Sequence, residues 1–362
     1  MFVRNLFCFI YLLISANVLL AFEKATYLPV YGKYDVLTNS LAENKFSIYY
    51  LSFLRVREDG SIYVDWGDDR ASSHLKNFFS RDERCRWVVG GEKGSAYLSD
   101  VLSDTDSEKR LLKQLIQYVV DYNCEGVDID WEFPSLNNGL VDPERMHDRV
   151  NFVHFACQLK EGLIQARRKA ALSLSIPGNG GGIMLTGFDL LGLNQCVDYF
   201  NIMSYDRPTG DSFGRFHSAF YPDGNDAQSY RLSGLGAFRF LLSRGIEPEK
   251  IVLGIPFFGR MASYNGPVTK SCKQFEKFYS HPIGYDQLTT VFFSDPSWKK
   301  FRRVKHDNQP MLLNSKCGFS ISYEDSVSVR AKYLIAKKLG MAGIVVWNTL
   351  MDTNDTLYNQ IR

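Results

Sequence analysis

The sequence has almost no excess of charge of either sign. Its 362 residues include 42 Lys and Arg against 40 Asp and Glu, which gives a formal net charge of +2. Proteins that bind nucleic acid or an anionic membrane surface usually concentrate positive charge. We therefore expect neither of these partners.

Closely spaced metal ligands are also missing. The sequence has seven Cys but no Cys-x-x-Cys pair, and its six His show no pairing pattern. Zinc sites in proteins usually draw on such closely spaced residues. We therefore predict no metal site and no cofactor.

Long apolar runs are missing beyond the N-terminus. The one such run covers residues 6–20, follows Arg4 and precedes the small residue Ala21. A positive start, a short apolar core and a small residue are typical of a secretory signal peptide. The alternative is a membrane anchor, but the run is short for a span and is interrupted at residues 15–17. We predict a signal peptide over residues 1–21, secretion of the remainder, and no membrane attachment after cleavage.

Secretion changes the interpretation of the cysteines, because disulfide bonds persist outside the cell. Cys8 would leave with the signal peptide, so six Cys remain. Six cysteines allow about fifteen pairings, and the sequence alone leaves the choice open. We favour a bond between Cys272 and Cys317, because both lie in one late segment.

Linkers, low-complexity tracts and tandem repeats are absent as well, so we expect one catalytic domain over residues 22–362 and a monomer. Strand-like runs alternate with helix-like runs, and the helical spacing is clearest at residues 111–122, 150–167, 233–244 and 326–339. About eight strands in such an alternation predict an α/β fold, a parallel (β/α)8 TIM barrel. The chain exceeds the roughly 250 residues typical of this barrel, so we predict a small insertion at about residues 261–320, between the last two strands. The predicted strands, besides one described next, are residues 26–31, 46–56, 86–90, 171–176, 197–204, 251–258 and 344–347.

The remaining strand carries the most unusual pattern in the chain. In the stretch EGVDIDWEFP, the acids Asp128, Asp130 and Glu132 alternate with large apolar residues, and Pro134 ends the pattern. Residues two apart on a strand point to the same side, so the three carboxylates should form one row. Like charges this close cannot all be ionised, so at least one pKa should rise and a proton should be shared. Such a row is suited to proton transfer to a reacting oxygen.

Two other interpretations of the acid row remain. It could be a solvated strand face, but the intervening residues and the flanks indicate a core strand. It could be a metal site, but no histidine lies near it in the sequence.

Active sites of TIM barrels lie at the C-terminal ends of the strands. The predicted strand ends bring together an acid, a phenol with a second acid, a guanidinium and an indole. A few polar groups above an apolar floor suit a sugar. These residues are Glu132, Tyr205, Asp206, Arg260 and Trp347.

Several of these segments resemble the motifs of family 18 of the glycoside hydrolases, the chitinases and chitinase-like proteins. EGVDIDWE resembles the DxxDxDxE signature, and MSYD at residues 203–206 resembles MxYD. VVGG at residues 88–91 resembles SxGG, and GIPFFGR at residues 254–260 resembles GxPxYGR. Trp347 falls where the family has the tryptophan beneath the reacting sugar. The similarity runs in order over nearly all of the mature chain.

The resemblance implies roles for individual residues. Glu132 would be the general acid and base of a substrate-assisted mechanism. Asp130, Asp128 and Tyr205 would be the other catalytic residues of that mechanism. Sugar contacts would come from a second set of residues, in which Tyr27 and Phe53 could equally be core. That set is Trp347, Asp206, Met203, Arg260, Gly91, Tyr27 and Phe53.

The sequence also departs from the family pattern. Glu125 replaces the first Asp of the signature, Val88 replaces a serine, and Phe258 replaces a tyrosine. Glu92 stands where many chitinases have a tryptophan, which should weaken the binding of long chains. We interpret Glu125 as structural, because its odd spacing from Asp128 puts it off the catalytic face.

Two function classes follow from the resemblance. The first is a secreted chitinase that cleaves β-1,4-linked N-acetylglucosamine with retention, with chitin or its oligosaccharides as partners. The alternative is a weak or inactive chitinase-like lectin on the same barrel, because a fold does not fix a function. Such lectins usually lack the acid, which this chain has at Glu132. A third, narrower candidate is a hydrolase of N-glycan cores. The residues around Trp131 resemble those of chitinases more than those of such hydrolases.

Overall fold

The structure is a computed structural model of the whole chain. It describes residues 22–31, 45–66, 69–80, 84–178, 182–207, 215–263, 272–279, 281–302 and 307–362. The predicted signal peptide, with Arg4, Cys8 and Ala21, lies outside the described residues, as do parts of the predicted insertion.

Eight parallel strands close into a barrel, which confirms the predicted fold. Each strand pairs with the next along the chain, and the last pairs with the first, where Glu23 is in register with Gly343. The barrel strands are β1 Glu23–Pro29, β2 Ile48–Val56, β3 Cys85–Gly90, β4 Gly126–Asp130, β5 Ala171–Pro177, β6 Tyr199–Met203, β7 Ile251–Pro256 and β8 Gly343–Trp347.

Helices follow the strands and cover the outside of the barrel. All six residues of β3 and all six of β7 are buried, because one side faces the barrel interior and the other faces helices. The helices are α1 Asp69–Phe79, α2 Leu98–Val101, α3 Thr105–Asp121, α4 Asp148–Ala166, α5 Leu190–Leu193, α6 Ala227–Arg231, α7 Gly234–Ser243, α8 Lys273–Glu276, α9 Tyr285–Gln287 and α10 Ser326–Lys338. Short 3-10 turns add Pro143–Arg145, Ile183–Leu185, Pro248–Lys250, Thr349–Met351 and Tyr358–Gln360, and a π turn adds Leu288–Phe292.

Side-chain caps fix where several helices begin. Asp104 precedes α3 and accepts a hydrogen bond from the backbone N–H of Ser107. Asp325 precedes α10 and forms a reciprocal capping box with Ser328. Such caps satisfy backbone donors that the first helical turn leaves unpaired.

The segment between β7 and β8 carries a second, antiparallel sheet. Its strands are Phe258–Ser263, Ile283–Gly284, Lys299–Arg302, Pro310–Asn314 and Phe319–Ser322. The first of these follows β7 after a single residue, so Arg260 lies on this sheet and not at the end of a barrel strand. A two-stranded hairpin also follows β4, with Leu136–Asn137 opposite Leu140–Val141.

Three disulfide bonds join the six remaining cysteines. The favoured pair, Cys272 with Cys317, is confirmed within the segment between β7 and β8. The other two bonds are Cys85–Cys124 and Cys157–Cys196. Among the described residues, no helix is long and apolar enough to cross a membrane.

Candidate active site

Two of the three acids stand on β4 with their side chains inside the barrel. Asp128 is fully buried and Asp130 is 3% exposed. The predicted strand was too long, because β4 ends at Asp130 and Glu132 lies in the segment that follows. The pairing of β4 with β3 ends at Asp130, because β3 ends at Gly90. The backbone N–H of the next residue, Gly91, donates to the Asp130 carbonyl at 2.7 Å. Glu132 therefore lies at the barrel mouth, above the two buried acids.

Asp128 sits in a cage of hydrogen-bond donors from three other strands. Ser173 Oγ and Asn201 Nδ2 donate to Oδ1 at 2.6 and 3.0 Å. Ser175 Oγ and the Tyr27 hydroxyl donate to Oδ2 at 2.8 and 3.3 Å. Burial raises the pKa of Asp128, and these hydrogen bonds oppose the rise. The cage therefore favours a carboxylate at a position where burial alone would protonate it.

Asp130 has the opposite surroundings. Its Oδ1 is buried and has no hydrogen-bond partner among the described residues. Burial, then the charges of Glu132 and Asp128, hold its pKa well above the usual range. A proton shared between the two buried acids is therefore best placed on Asp130.

Glu132 is tuned to carry a proton near neutral pH. Burial raises its pKa from the ordinary value of 4.5 to about 7, with the charges of Glu92 and Asp206 adding to the rise. Its backbone N–H donates to Ser95 Oγ at 3.2 Å, which ties the residue to the loop after β3. A carboxyl with this pKa can donate a proton and take one back at the same pH.

Tyr205 and Asp206 follow β6, which β5 separates from β4. Burial, then the charge of Asp130, raises the pKa of Tyr205 well above its usual range, so its hydroxyl remains a donor. Asp206 adopts a left-handed backbone, with φ of +56°. Its carboxylate holds Arg260 through two bonds, Nε–Oδ1 at 2.6 Å and Nη2–Oδ2 at 2.7 Å. The pairing fixes the direction of the guanidinium at the rim.

His217 holds the backbone of Asp206. It is fully buried, and its Nδ1 accepts a hydrogen bond of 3.5 Å from the Asp206 backbone N–H. Burial keeps the pKa of His217 well below its usual range, and a neutral ring is what an accepting Nδ1 requires.

Aromatic rings form the apolar floor of the mouth. Trp347, the last residue of β8, stacks on Phe53 with ring centroids 5.7 Å apart and lies 5.1 Å from the ring of Tyr27. Gly91 has φ of +76°, and a Cβ there would lie 2.9 Å from the Phe53 ring. The glycine thus leaves room for the ring that supports Trp347.

The mouth encloses a cleft of about 710 Å³. All the predicted site residues line this cleft except Asp128, which lies beneath it. The lining residues predicted from the sequence are Glu132, Asp130, Tyr205, Trp347, Asp206, Met203, Arg260, Gly91, Tyr27 and Phe53. Within the described ranges, no group of three or more His, Cys, Asp or Glu could hold a metal ion.

Several residues that hydrogen-bond to these side chains were not predicted from the sequence. Ser173, Ser175 and Asn201 hold Asp128, and His217 holds Asp206. The two serines alternate with leucine and isoleucine along β5, which is a signal of polar side chains facing the barrel interior. The segment around His217 lies outside the barrel strands, and no sequence pattern indicates its position.

Glu125 lies at the opposite end of β4 from the cleft. It receives hydrogen bonds from Arg84 Nε at 2.7 Å and from Arg86 Nη2 at 3.3 Å. These contacts lie away from the cleft, and the structural role of Glu125 stays a prediction.

Comparisons with known proteins agree on one family. The sequence model described as "Glycosyl hydrolases family 18" matches residues 25–352. "Probable chitinase 2" of Drosophila melanogaster is 26% identical over 314 residues, which are 81% of this chain and 59% of that protein. The chain thus spans about three-fifths of the length of this relative.

Solved structures show the same fold. The Group IV chitinase of Ostrinia furnacalis superposes with a TM-score of 0.78 at 20% identity, covering 94% of this chain and 98% of that one. The family 18 chitinase of Cycas revoluta, solved in complex with (GlcNAc)3, superposes with a TM-score of 0.74 at 18% identity, covering the same shares of the two chains.

Proposed function

The chain belongs to family 18 of the glycosyl hydrolases, and from this premise we propose that it is a secreted chitinase. It hydrolyses the β-1,4 linkages of N-acetylglucosamine polymers or oligosaccharides and retains the configuration of the anomeric carbon. The observation that carries the proposal is the contrast between Glu132, whose pKa is near 7 at the mouth, and two deeply buried acids beneath it. This contrast supports an enzyme over a lectin, because sugar binding alone needs no acid tuned in this way.

The proposed mechanism uses the substrate's own acetamido group as the nucleophile. Glu132 gives its proton to the glycosidic oxygen while the acetamido oxygen attacks the anomeric carbon and the bond to the leaving sugar breaks. The product of this step is an oxazolinium ion, with its positive charge next to the buried acids. Glu132, now a carboxylate, takes a proton from the water that opens this ion. Two displacements at one carbon give retention.

Asp130 and Tyr205 have the surroundings that orient the acetamido group. The unpartnered Oδ1 of Asp130 is available to accept a hydrogen bond from the acetamido N–H. The negative charge that Asp130 and Asp128 share would stabilise the developing positive charge. The Tyr205 hydroxyl, kept protonated, can donate to the acetamido oxygen. Asp128 lies beneath Asp130 and shares a proton with it, and this sharing sets the charge of Asp130.

Trp347 gives the reacting sugar an apolar surface. Its support by Phe53 and Tyr27 leaves the indole little freedom to move, which lowers the entropy lost when a sugar stacks on it. Asp206 and Arg260 offer polar contacts to the neighbouring sugar, with Met203 and Gly91 lining the rest. The (GlcNAc)3 held by the Cycas revoluta chitinase supports a chito-oligosaccharide as the ligand.

We also propose secretion of a monomeric domain over residues 22–362, after removal of residues 1–21. The support is the N-terminal sequence pattern together with the three disulfide bonds, which persist in an oxidising compartment.

The proposal is tested by following chitotriose hydrolysis with proton NMR of the anomeric protons. The new reducing end should appear first as the β anomer and then mutarotate. Initial formation of the α anomer would rule out the acetamido mechanism, and the absence of any cleavage would rule out the hydrolase.

A further inference from the structure

A second pocket lies on the segment between β7 and β8, separate from the cleft. It encloses about 280 Å³, and it shares no lining residue with the cleft. This volume is close to the lower end for small-ligand sites in proteins, so the pocket suits a single ring better than a chain of rings. The residues of the second pocket that matter here are Tyr285, Phe293, Lys300, Arg302, Tyr323 and Asp325.

Three aromatic rings form one wall of the second pocket. The ring of Phe293 lies 5.5 Å from the ring of Tyr323 and 6.2 Å from the ring of Tyr285. Tyr323 is 2% exposed and Tyr285 is 7% exposed, so the surrounding packing holds both rings in place. A tyrosine combines an apolar body with a polar tip. A wall of such rings suits a ligand with an apolar face and polar groups at its edge.

The hydroxyls of the two tyrosines are left without partners. Neither forms a hydrogen bond with a described residue, although both side chains are more than nine-tenths buried and line the pocket. Burial, then the charge of Asp325, raises the pKa of Tyr285 to about 12, and the same two causes raise the pKa of Tyr323. Both hydroxyls therefore keep their protons and can donate as well as accept. Buried polar groups are normally paired, so these two indicate a partner from outside the chain.

The charged groups of the second pocket favour a neutral ligand over an anion. Arg302 Nη1 donates to Asp325 Oδ1 at 3.2 Å, and its Nη2 forms an ion pair with the other oxygen of that carboxylate. The same Nη1 donates to the Asn308 carbonyl at 2.7 Å, so the guanidinium is already engaged. Lys300 is exposed, and its Nζ lies 3.8 Å from the centroid of the Phe293 ring. An anion site usually offers several cations that are free to face the ligand.

We propose that the second pocket is a non-catalytic binding site for one sugar unit, which helps to hold the protein on chitin. The apolar face of the sugar lies against the aromatic wall, and its polar groups pair with the hydroxyls of Tyr285 and Tyr323. The choice of N-acetylglucosamine rests on the proposed function, because the pocket by itself indicates only a neutral ring with polar groups.

The inserted sheet connects the second pocket with the cleft. Its strand Phe258–Ser263 carries Phe258 and Arg260 into the lining of the cleft. The edge strand of the same sheet, Lys299–Arg302, carries Lys300 and Arg302 into the second pocket. Two sites on one protein bind a polymer more tightly than either site alone, because the second contact forms at a high effective concentration. The gain requires a ligand that offers many sugar units, such as insoluble chitin.

The direct test is NMR of the wild type labelled with carbon-13 in its tyrosine rings. N-acetylglucosamine is the probe, and it has no glycosidic bond to cleave, so the titration does not depend on turnover. Tyr285→Phe and Tyr323→Phe assign the two signals. We expect both signals to shift along one common saturation curve. Signals that stay in place would overturn the inference, because the pocket would then hold only water.

The affinity of the probe tests the two hydroxyls. Loss of one hydrogen bond should weaken binding at the second pocket by about two- to tenfold in each single variant, followed through the remaining tyrosine. Tyr333→Phe is the matched control, because Tyr333 is also 7% exposed but lies outside the lining of the pocket. An equal loss in the control would contradict the assignment. If inorganic phosphate shifts the two signals at lower concentrations than the sugar, the pocket is an anion site and the inference is wrong.

Retention on insoluble chitin tests the role of the second pocket. The double variant Tyr285→Phe/Tyr323→Phe should bind insoluble chitin about tenfold more weakly than the wild type, while its kcat/KM on chitotriose stays unchanged. Unchanged retention, or an equal loss on both substrates, would contradict a separate site that holds the polymer. If the wild type cleaves nothing, the proposed function fails, and the NMR titration still decides whether the second pocket binds the sugar.

Discussion

Glu92 provides the sharpest test of how Glu132 is tuned. It is an exposed residue at the cleft rim, and its charge is the second cause, after burial, of the raised pKa of Glu132. Glu92→Gln removes that charge and keeps the shape of the side chain. The protonated form of Glu132 should then become less favoured, so its pKa should fall.

The size of the effect follows from the exposure of Glu92. An exposed charge pair is worth about 0.2–1 kcal/mol, and one pKa unit is about 1.4 kcal/mol, so the fall should be about 0.2–0.7 of a unit. Burial, the larger cause, remains in the variant. The pKa of Glu132 should therefore stay far above the ordinary value of 4.5.

The assay is the pH dependence of kcat/KM, whose basic limb reports the acid in the free enzyme. The basic limb of Glu92→Gln should move to lower pH, and raising the ionic strength should shrink the difference. Glu249→Gln is the control, because it neutralises an exposed acid just before β7, at the end of the barrel away from the cleft. A limb that stays in place or moves to higher pH would refute the electrostatic account of Glu132.

Two further predictions concern the scaffold of the site. Gly91→Ala should lower the free energy of unfolding in urea by about 1–3 kcal/mol more than Gly139→Ala. Both glycines have a similar positive φ, but only Gly91 faces the Phe53 ring. Equal losses in the two variants would contradict a packing role for Gly91. Replacing Cys85 and Cys124 together by Ala should cost about 4 kcal/mol, the chain-entropy value for a loop with a sequence separation of 39; an unchanged urea midpoint would show that the bond does not restrain the unfolded chain.

The sequence was sufficient to predict the barrel and most of the cleft lining. Apolar runs buried on both sides mark the strands, and parallel barrel strands bring their C-terminal ends to one mouth. That is why Glu132, Tyr205, Asp206 and Trp347 could be grouped although they are far apart in the chain. The strand Ile62–Val64, which pairs antiparallel with β2, was missed because three residues are too few to show a period. Helix α1 was missed although Ala71, Leu75 and Phe79 recur at helical spacing and are buried.

The interior partners could not be assigned, because they depend on register between strands. Ser173 is level with Asp128 only through the pairing of β4 with β5. Tyr50 and Arg86 resemble ordinary members of strand-like runs, and nothing local indicates that their polar ends meet. The position of Arg260 was misjudged for a related reason: the chain leaves the barrel at Pro256 and begins an antiparallel strand at Phe258, so spacing along one continuous strand no longer applies.

The measurement that bears most directly on the account is hydrolysis of labelled chitotriose by the wild type, Glu132→Gln and Glu249→Gln. We expect turnover by the wild type and the control, and a loss of roughly 10²–10⁴-fold or more when the acid is removed. The Gln side chain keeps the size of Glu132, so binding of the sugar should survive. If the wild type binds chitotriose but does not cleave it, or if Glu132→Gln cleaves as fast as the wild type, the assignment of Glu132 as the general acid is wrong.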